Sequence, residues 1–255
     1  MKTIVIANQK GGVGKTTTAT TLSSMLTKRD YKTLLIDTDM QCNSTDTYKA
    51  ETENVATIYD VILANERIPI KDAVQNTEYG PIIASDRLLG DADTIIKNDA
   101  VNGIYRLSEA LEEERDNWDY VVIDTNPTLN SMIYNSLVAA DYVIIPVVAD
   151  RYALAGLSQL ADTISAIKSR PNKNLKVAGL LLIKHNNRTN LGRQVYEDLG
   201  KIAKAMDTKL FETTIRETIK VQESQVLRSP LPLYAPNCTA CRDYYDFTEE
   251  LLKEV

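Results

Sequence analysis

The sequence of 255 residues has little of what several protein classes require. Its three cysteines, at positions 42, 238 and 241, do not make a disulfide framework, which suits a reducing cytosol. It has a single histidine, His185, and no constellation typical of Ser, His or Cys nucleophiles. Its longest apolar runs are strand-sized, well short of the roughly 20 residues that cross a membrane. The sequence therefore predicts a cytoplasmic protein with no membrane partner.

A glycine-rich segment near the start of the chain is the strongest functional signal that is present. A short apolar run over residues 4–7 leads into Gly11, Gly12 and Gly14, and residues that can start a helix follow. Glycines permit backbone angles closed to other residues, so several N–H groups can converge on one anion. A helix beginning after them adds free N–H groups and the positive end of its dipole. The order of strand, glycine loop and helix predicts a phosphate-binding loop.

The residues around these glycines resemble one branch of phosphate-loop ATPases. Lys15 is placed to reach the β- and γ-phosphates, and the Thr16 hydroxyl to hold Mg²⁺. The first glycine of the usual motif is replaced by Gln9, and a second lysine, Lys10, precedes Gly11. The run N-Q-K-G-G-V-G-K-T-T is similar to the deviant Walker-A loop of the ParA, MinD and nitrogenase-iron-protein family, and most similar to its ParA branch. The resemblance implies that ATP contacts Lys10, Gly11, Gly12, Val13, Gly14, Lys15, Thr16 and Thr17.

The same resemblance implies a fold and an assembly. Apolar stretches alternate with helical patterns over the whole length, which predicts a doubly wound, mainly parallel α/β sheet flanked by helices. We expect one domain over residues 1–255. In the family, the extra lysine, here Lys10, reaches the phosphates of the partner in an ATP-bound homodimer. Strands are predicted at 33–37, 81–84, 120–124, 142–148 and 177–183, and helices at 17–29, 55–64, 103–115 and 129–140.

Three carboxylates follow predicted strands and lie where a parallel sheet binds ligands. Asp37 and Asp39 end one strand, and Asp124 ends another. The resemblance gives Asp39 the catalytic role of positioning the attacking water, beside the catalytic lysines 10 and 15. It gives Asp37 and Asp124, with the Thr16 hydroxyl, the Mg²⁺ site. The chain departs from the family pattern nearby, since Met40 replaces a proline, Cys42 a glycine and Asn126 a proline.

Charge is spread unevenly along the chain. Residues 165–228 hold 13 Lys and Arg against 6 Asp and Glu, whereas the whole chain has a net charge of -6. A basic segment on an acidic protein is a plausible contact surface for a phosphate backbone, although some of these charges belong to solvated helix faces. The resemblance implies non-specific DNA binding through Arg188, in an R-T-N-L segment, and Lys220. Either Asn186 or Asn187 is expected near the adenine.

The most favoured function is a ParA-like ATPase for partitioning of DNA, with a ParB-like or other small partner that stimulates hydrolysis. One alternative is a carrier of iron–sulfur clusters, in which Cys238 and Cys241 from two chains supply four thiolates. A second is ParA-like positioning of a cargo other than DNA. A membrane-bound relative would carry a basic amphipathic C-terminal helix, but residues 243–255 contain five acids and one lysine, which anionic lipid would repel.

Overall fold

The computed structural model describes residues 1–99, 101–148, 153–185 and 190–255, without the side chains of residues 153–156 and 190–193. Within these residues the strands are β1 (Lys2–Ile6), β2 (Thr33–Asp37), β3 (Val74–Thr77), β4 (Gly80–Ile83), β5 (Tyr120–Asp124), β6 (Tyr142–Val148), β7 (Lys176–His185) and β8 (Ile215–Arg216). They form one sheet in the order β3-β4-β2-β5-β1-β6-β7-β8. Only β3, among the described strands, runs antiparallel to its neighbour. The predicted fold class is confirmed.

Helices connect the strands and cover both faces of the sheet. They are α1 (Lys15–Thr27), α2 (Asn43–Thr47), α3 (Ile58–Ile62), α4 (Ile70–Ala73), α5 (Ala92–Asn98), α6 (Arg106–Glu112), α7 (Ser131–Ala139), α8 (Ala153–Ser169), α9 (Asn190–Ala205), α10 (Ile219–Val226), α11 (Leu231–Tyr234) and α12 (Thr239–Leu251). Short 3₁₀ turns lie at Arg87–Asp91 and Gly103–Tyr105.

Side-chain alternation along the central strands divides the core into two clusters. Val5, Leu34 and Val121 belong to the cluster that packs under α3 and α5 to α9. Ile4 and Leu35 point the other way, into the cluster that packs under α1 and α12. Because successive residues of a strand face opposite sides of the sheet, strands buried on both faces must be apolar throughout. This is why the parallel strands read as continuous apolar runs.

The order of the central strands positions the candidate site. β1 lies between β5 and β6, and β5 lies between β1 and β2. The register pairs Ile6 with Asp124, and Asp124 with Asp37. The loop after β1 and the two carboxylates that end β2 and β5 therefore meet at the same edge of the sheet.

The candidate nucleotide site

The loop between β1 and α1 includes a backbone conformation that favours glycine. Gly14 has a φ of 73°, in the left-handed region, where other residues are strained. A Cβ at this position would also lie 2.5 Å from Cδ1 of Ile183 on β7. At the start of the loop, the Asn8 side chain donates to the Pro146 carbonyl on β6 (2.7 Å) and accepts the Lys10 N–H (3.0 Å). Asn8 thus fixes the start of the loop to β6.

Lys15 is a buried cation inside this loop. It is 7% exposed, and its ammonium donates to the Lys10 carbonyl oxygen at 3.1 Å. Burial lowers the pKa of Lys15, while the nearby charges of Asp124 and Asp39 oppose that shift. A lysine held in this way, beside converging backbone N–H groups, is suited to bind a polyanion.

The carboxylates of Asp37 and Asp124 are both fully buried at the sheet edge. Burial raises the pKa of each, and the charge of Asp124 raises that of Asp37 further. Asp37 accepts hydrogen bonds on both oxygens, one from the Asp39 N–H (3.0 Å) and two from the N–H and hydroxyl of Thr45 (2.9 and 2.8 Å). Asp37 therefore holds the loop after β2 in place.

Within the described part of the chain, Asp124 engages one of its two carboxylate oxygens. Its Oδ2 accepts the Ser44 hydroxyl at 2.8 Å, and hydrogen bonds from Ser44 and Thr16 lower the pKa of the carboxyl, against the effect of burial. Its Oδ1 is buried and has no hydrogen-bond partner among the described residues. An orphaned carboxylate oxygen next to a threonine hydroxyl and a phosphate loop fits an oxygen-preferring cation such as Mg²⁺ and its waters.

Asp39 lies just beyond the end of β2 and is 6% exposed. Its Oδ1 accepts the Gln41 N–H at 3.0 Å, which fixes the rotation of the carboxylate. It borders the same cavity as the glycine loop and Lys15. The structure therefore brings together the residues expected to bind phosphate, to hold the cation and to position water.

The cavity measures about 580 Å³, within the usual range for small-ligand sites. The glycine loop forms one end. A wall that adjoins the loop comes from the end of β7, from Ile215 to Thr218 around β8, and from Val221 and Gln225 on α10. The segment 217–223 was predicted to contribute to DNA binding alone, so this wall was not predicted. The expected adenine contacts, Asn186 or Asn187, lie outside the described residues.

Two hydrogen bonds attach the first turn of α1 to the C-terminal third of the chain. The Gln225 amide donates to the Thr17 hydroxyl at 3.0 Å. The hydroxyls of Thr18 and Tyr244 are hydrogen-bonded at 3.0 Å, both buried. Tyr244 also lines the cavity. α10 and α12 therefore support the phosphate loop from behind, which no local sequence pattern indicates.

The structure describes one of the two expected DNA contacts. Lys220 lies near the start of α10, outside the cavity wall, and forms a 2.7 Å ion pair with Glu223. Its ammonium also lies 5.9 Å from the centroid of the Tyr234 ring. Arg188 lies outside the described residues. No described helix is long and apolar enough to span a membrane.

The two cysteines of the C-x-x-C segment are engaged at the start of α12. The Cys241 N–H donates to the Cys238 sulfur at 3.3 Å, so Cys238 caps the helix. Cys241 is buried in the core, and burial raises the pKa of its thiol. No group of three or more potential metal-ligating side chains of His, Cys, Asp or Glu is found within the described part of the chain.

Comparisons with known proteins agree with this geometry. A family model described as an AAA domain matches residues 1–177. The chain is 36% identical to the chromosome partitioning protein ParA of Myxococcus xanthus, over 98% of this chain and 87% of that protein. It is 35% identical to the sporulation initiation inhibitor protein Soj of Bacillus subtilis, over 98% of both.

A solved structure shares the fold and holds a nucleotide. It is the cobyrinic acid a,c-diamide synthase of Mycobacterium smegmatis with a bound ATP analogue and magnesium. The TM-score is 0.84 and the identity 27%, covering 99% of this chain and 95% of that one. From the family model and the end-to-end similarity to chromosome partitioning proteins, we conclude that the chain belongs to the ParA family of partitioning ATPases.

Proposed function

We propose that residues 1–255 form a single Mg²⁺-dependent ATPase domain that partitions DNA. ATP binding drives dimerisation, the dimer binds DNA without sequence preference, and a ParB-like partner stimulates hydrolysis and releases it. The single observation that supports ATP hydrolysis is a cavity in which the glycine loop and buried Lys15 meet Asp39, with Asp124 behind them. The protein then works in the cytoplasm, on the nucleoid.

Each residue of the loop has a role that its position supports. Lys15 binds the β- and γ-phosphates, and the backbone N–H groups from Lys10 to Thr17 surround the phosphate chain. Thr16 and the unpartnered Oδ1 of Asp124 hold Mg²⁺ and its waters. When bound, Mg²⁺ neutralises charge on the phosphate oxygens. Asp37, with three hydrogen bonds already accepted, supports the metal site from behind.

Asp39 orients the attacking water. Phosphoryl transfer requires little covalent chemistry from the protein, so catalysis depends on positioning and electrostatics. The Gln41 N–H donates to Oδ1 of Asp39, and no described residue donates to Oδ2, which we assign as the oxygen that accepts a hydrogen bond from water. Lys10, at the edge of the same loop, adds its positive charge to the phosphates of the partner subunit, so its contribution appears only in the dimer.

DNA binding rests on Arg188 and Lys220 within a segment of net charge +7. A protein of net charge -6 repels a polyanion overall, so one basic patch binds weakly and a dimer binds through two patches at once. Lys220 must exchange its ion pair with Glu223 for a phosphate. Both groups of that pair are exposed, and exposed pairs are weak, so the exchange is inexpensive.

Fluorescence anisotropy with random duplexes, with ADP or ATP across a salt series, tests this proposal. If each subunit neutralises about two phosphates, the slope of log K against log salt is roughly -3 to -4. The Arg188→Ala, Lys220→Ala double variant should lose DNA binding on every sequence and keep ATP-dependent dimerisation.

Lys201→Ala is the matched control. Lys201 also forms an ion pair with an acid three residues away, Asp198, and lies on the same basic segment. Equal binding with ADP, insensitivity to salt, or an unchanged double variant would refute DNA binding. Retained ATP turnover without DNA binding would favour the positioning of another cargo.

The cluster-carrier alternative rests on Cys238 and Cys241 alone. The core location of Cys241 and the capping role of Cys238 speak against it. Iron and sulfide content after anaerobic purification decides this alternative, and stoichiometric amounts of both would support it.

A further inference from the structure

A buried hydrogen-bond network joins the catalytic loop to a strand that the proposed mechanism does not use. Ser85 follows β4 and is fully buried. Its hydroxyl donates to the backbone carbonyl of Asp39 at 2.7 Å. Its N–H donates to the Thr45 hydroxyl at 2.8 Å, and that hydroxyl donates in turn to Asp37 at 2.8 Å. Ser85 is therefore hydrogen-bonded both to Asp39, directly after β2, and to Thr45, further along the same segment.

We propose that Ser85 is a positioning residue for Asp39. This inference rests on the proposed role of Asp39 as the residue that orients water. The carbonyl that Ser85 holds also accepts the Cys42 N–H at 2.8 Å, across the turn that carries Asp39. That bond is internal to the turn. The bond from Ser85 is the one that ties the turn to β4 and hence to the sheet.

The position of the Asp39 peptide matters because it determines where the Asp39 carboxylate points. Asp39 lies outside β2, so the ladder of the sheet does not fix its backbone. Its N–H is held by Asp37 at 3.0 Å and its carbonyl by Ser85. Its side chain is then fixed by Gln41. With both sides of the residue anchored, the free carboxylate oxygen keeps one direction, and small displacements of such groups are costly for catalysis.

Ser85 contacts Asp39, which lines the cavity, and no hydrogen bond joins it to a described residue of the phosphate loop. It is absent from the residues that border the cavity. Its effect must therefore pass through Asp39 and Thr45 and should appear in turnover rather than in nucleotide affinity. We expect Ser85→Ala to lower the single-turnover rate of ATP hydrolysis by roughly five- to twentyfold, as the loss of one buried hydrogen bond in the transition state would give. The dissociation constant for ATP should stay within about twofold.

Ser136→Ala is the matched control. Ser136 is also fully buried and its hydroxyl also donates to a backbone carbonyl, that of Met132, at 2.9 Å within α7. Ser136→Ala should keep its turnover, because this hydroxyl bonds the preceding turn of its own helix. Ser85→Cys, with nearly the same shape and a weak donor, should fall between wild type and Ser85→Ala. If Ser85→Ala fails to fold, Ser85→Cys takes its place as the test variant.

Hydrogen exchange at the amides of residues 39–42 provides a readout that does not need activity. Exchange there should quicken in the Ser85 variants and not in Ser136→Ala. If the wild-type protein hydrolyses no ATP, the proposed function is wrong. The exchange measurement still tests whether Ser85 holds the peptide of Asp39 in place. The inference is overturned if Ser85→Ala keeps its turnover within twofold of wild type, or if Ser136→Ala loses as much turnover as Ser85→Ala. It is also overturned if Ser85→Ala loses as much ATP affinity as turnover, or if amide exchange at residues 39–42 is unchanged in the Ser85 variants.

Discussion

Replacing Asp39 by alanine removes the proposed water-orienting group and little else. The bonds that hold its peptide, from its own N–H to Asp37 and from Ser85 to its carbonyl, are made by backbone atoms of Asp39. They survive the substitution. Among the described residues, the one hydrogen bond lost is that from the Gln41 N–H to the carboxylate. The loop therefore keeps its place, and a change in rate reports the carboxylate itself.

The rate should fall by about 10²-fold or more, as expected for loss of a group that acts on the attacking water. A 10²-fold loss corresponds to about 2.7 kcal/mol of transition-state free energy. Affinity for ATP should change little, because the proposed phosphate contacts come from Lys15 and the backbone of the glycine loop. The variant should consequently accumulate as an ATP-bound dimer.

Single-turnover hydrolysis with excess protein, together with equilibrium binding of a fluorescent ATP analogue, separates the two effects. Asp39→Asn is the informative companion. Its side-chain oxygen can still accept the Gln41 N–H, so it keeps the local geometry while it removes the charge and replaces the second acceptor oxygen by an NH2 donor. Wild-type turnover in Asp39→Ala would show that another group orients the water. An equal loss of rate and affinity would show that Asp39 acts in binding.

Three further substitutions and one control test the dimer and the support of the loop. On an Asp39→Ala background, Lys10→Ala should still bind ATP but remain a monomer, as measured by light scattering. Lys15→Ala should bind ATP poorly. An ATP-bound dimer that forms without Lys10 would contradict the proposed contact of Lys10 with the partner's phosphates. Tyr244→Phe should lower the free energy of unfolding in urea by about 1–2 kcal/mol, because the buried Thr18 hydroxyl loses its partner. The exposed Tyr245→Phe is its control, and equal losses in both would contradict that reasoning.

Three of the central strands could be predicted to the residue. Thr33–Asp37, Tyr120–Asp124 and Tyr142–Val148 are found where the apolar runs predicted them, because strands buried on both faces leave an unmistakable pattern. β3 (Val74–Thr77) was missed: it is half exposed, lies at the edge and pairs with β4 alone. Its four residues carry no apolar alternation.

The predictable part of the site is the part that is local in sequence. The glycine loop carries its own geometry, and the carboxylates that end strands meet because parallel strands end at one edge. The wall formed by Lys184, Arg216 and Gln225 depends on how β7, β8 and α10 pack. Ser85 was missed for the same reason, since its partner lies 46 positions away. Such contacts arise from tertiary packing and leave no periodic pattern.

The bonds from Gln225 and Tyr244 to the first turn of α1 have a consequence during synthesis. They join residues 208 and 226 positions apart. At about 5–20 residues per second, a ribosome needs roughly 11–45 s to make that stretch. The glycine loop emerges early and waits that long for the helices that brace it. The complete cavity, which Gln225 and Tyr244 also line, therefore forms only after the ribosome has produced α12.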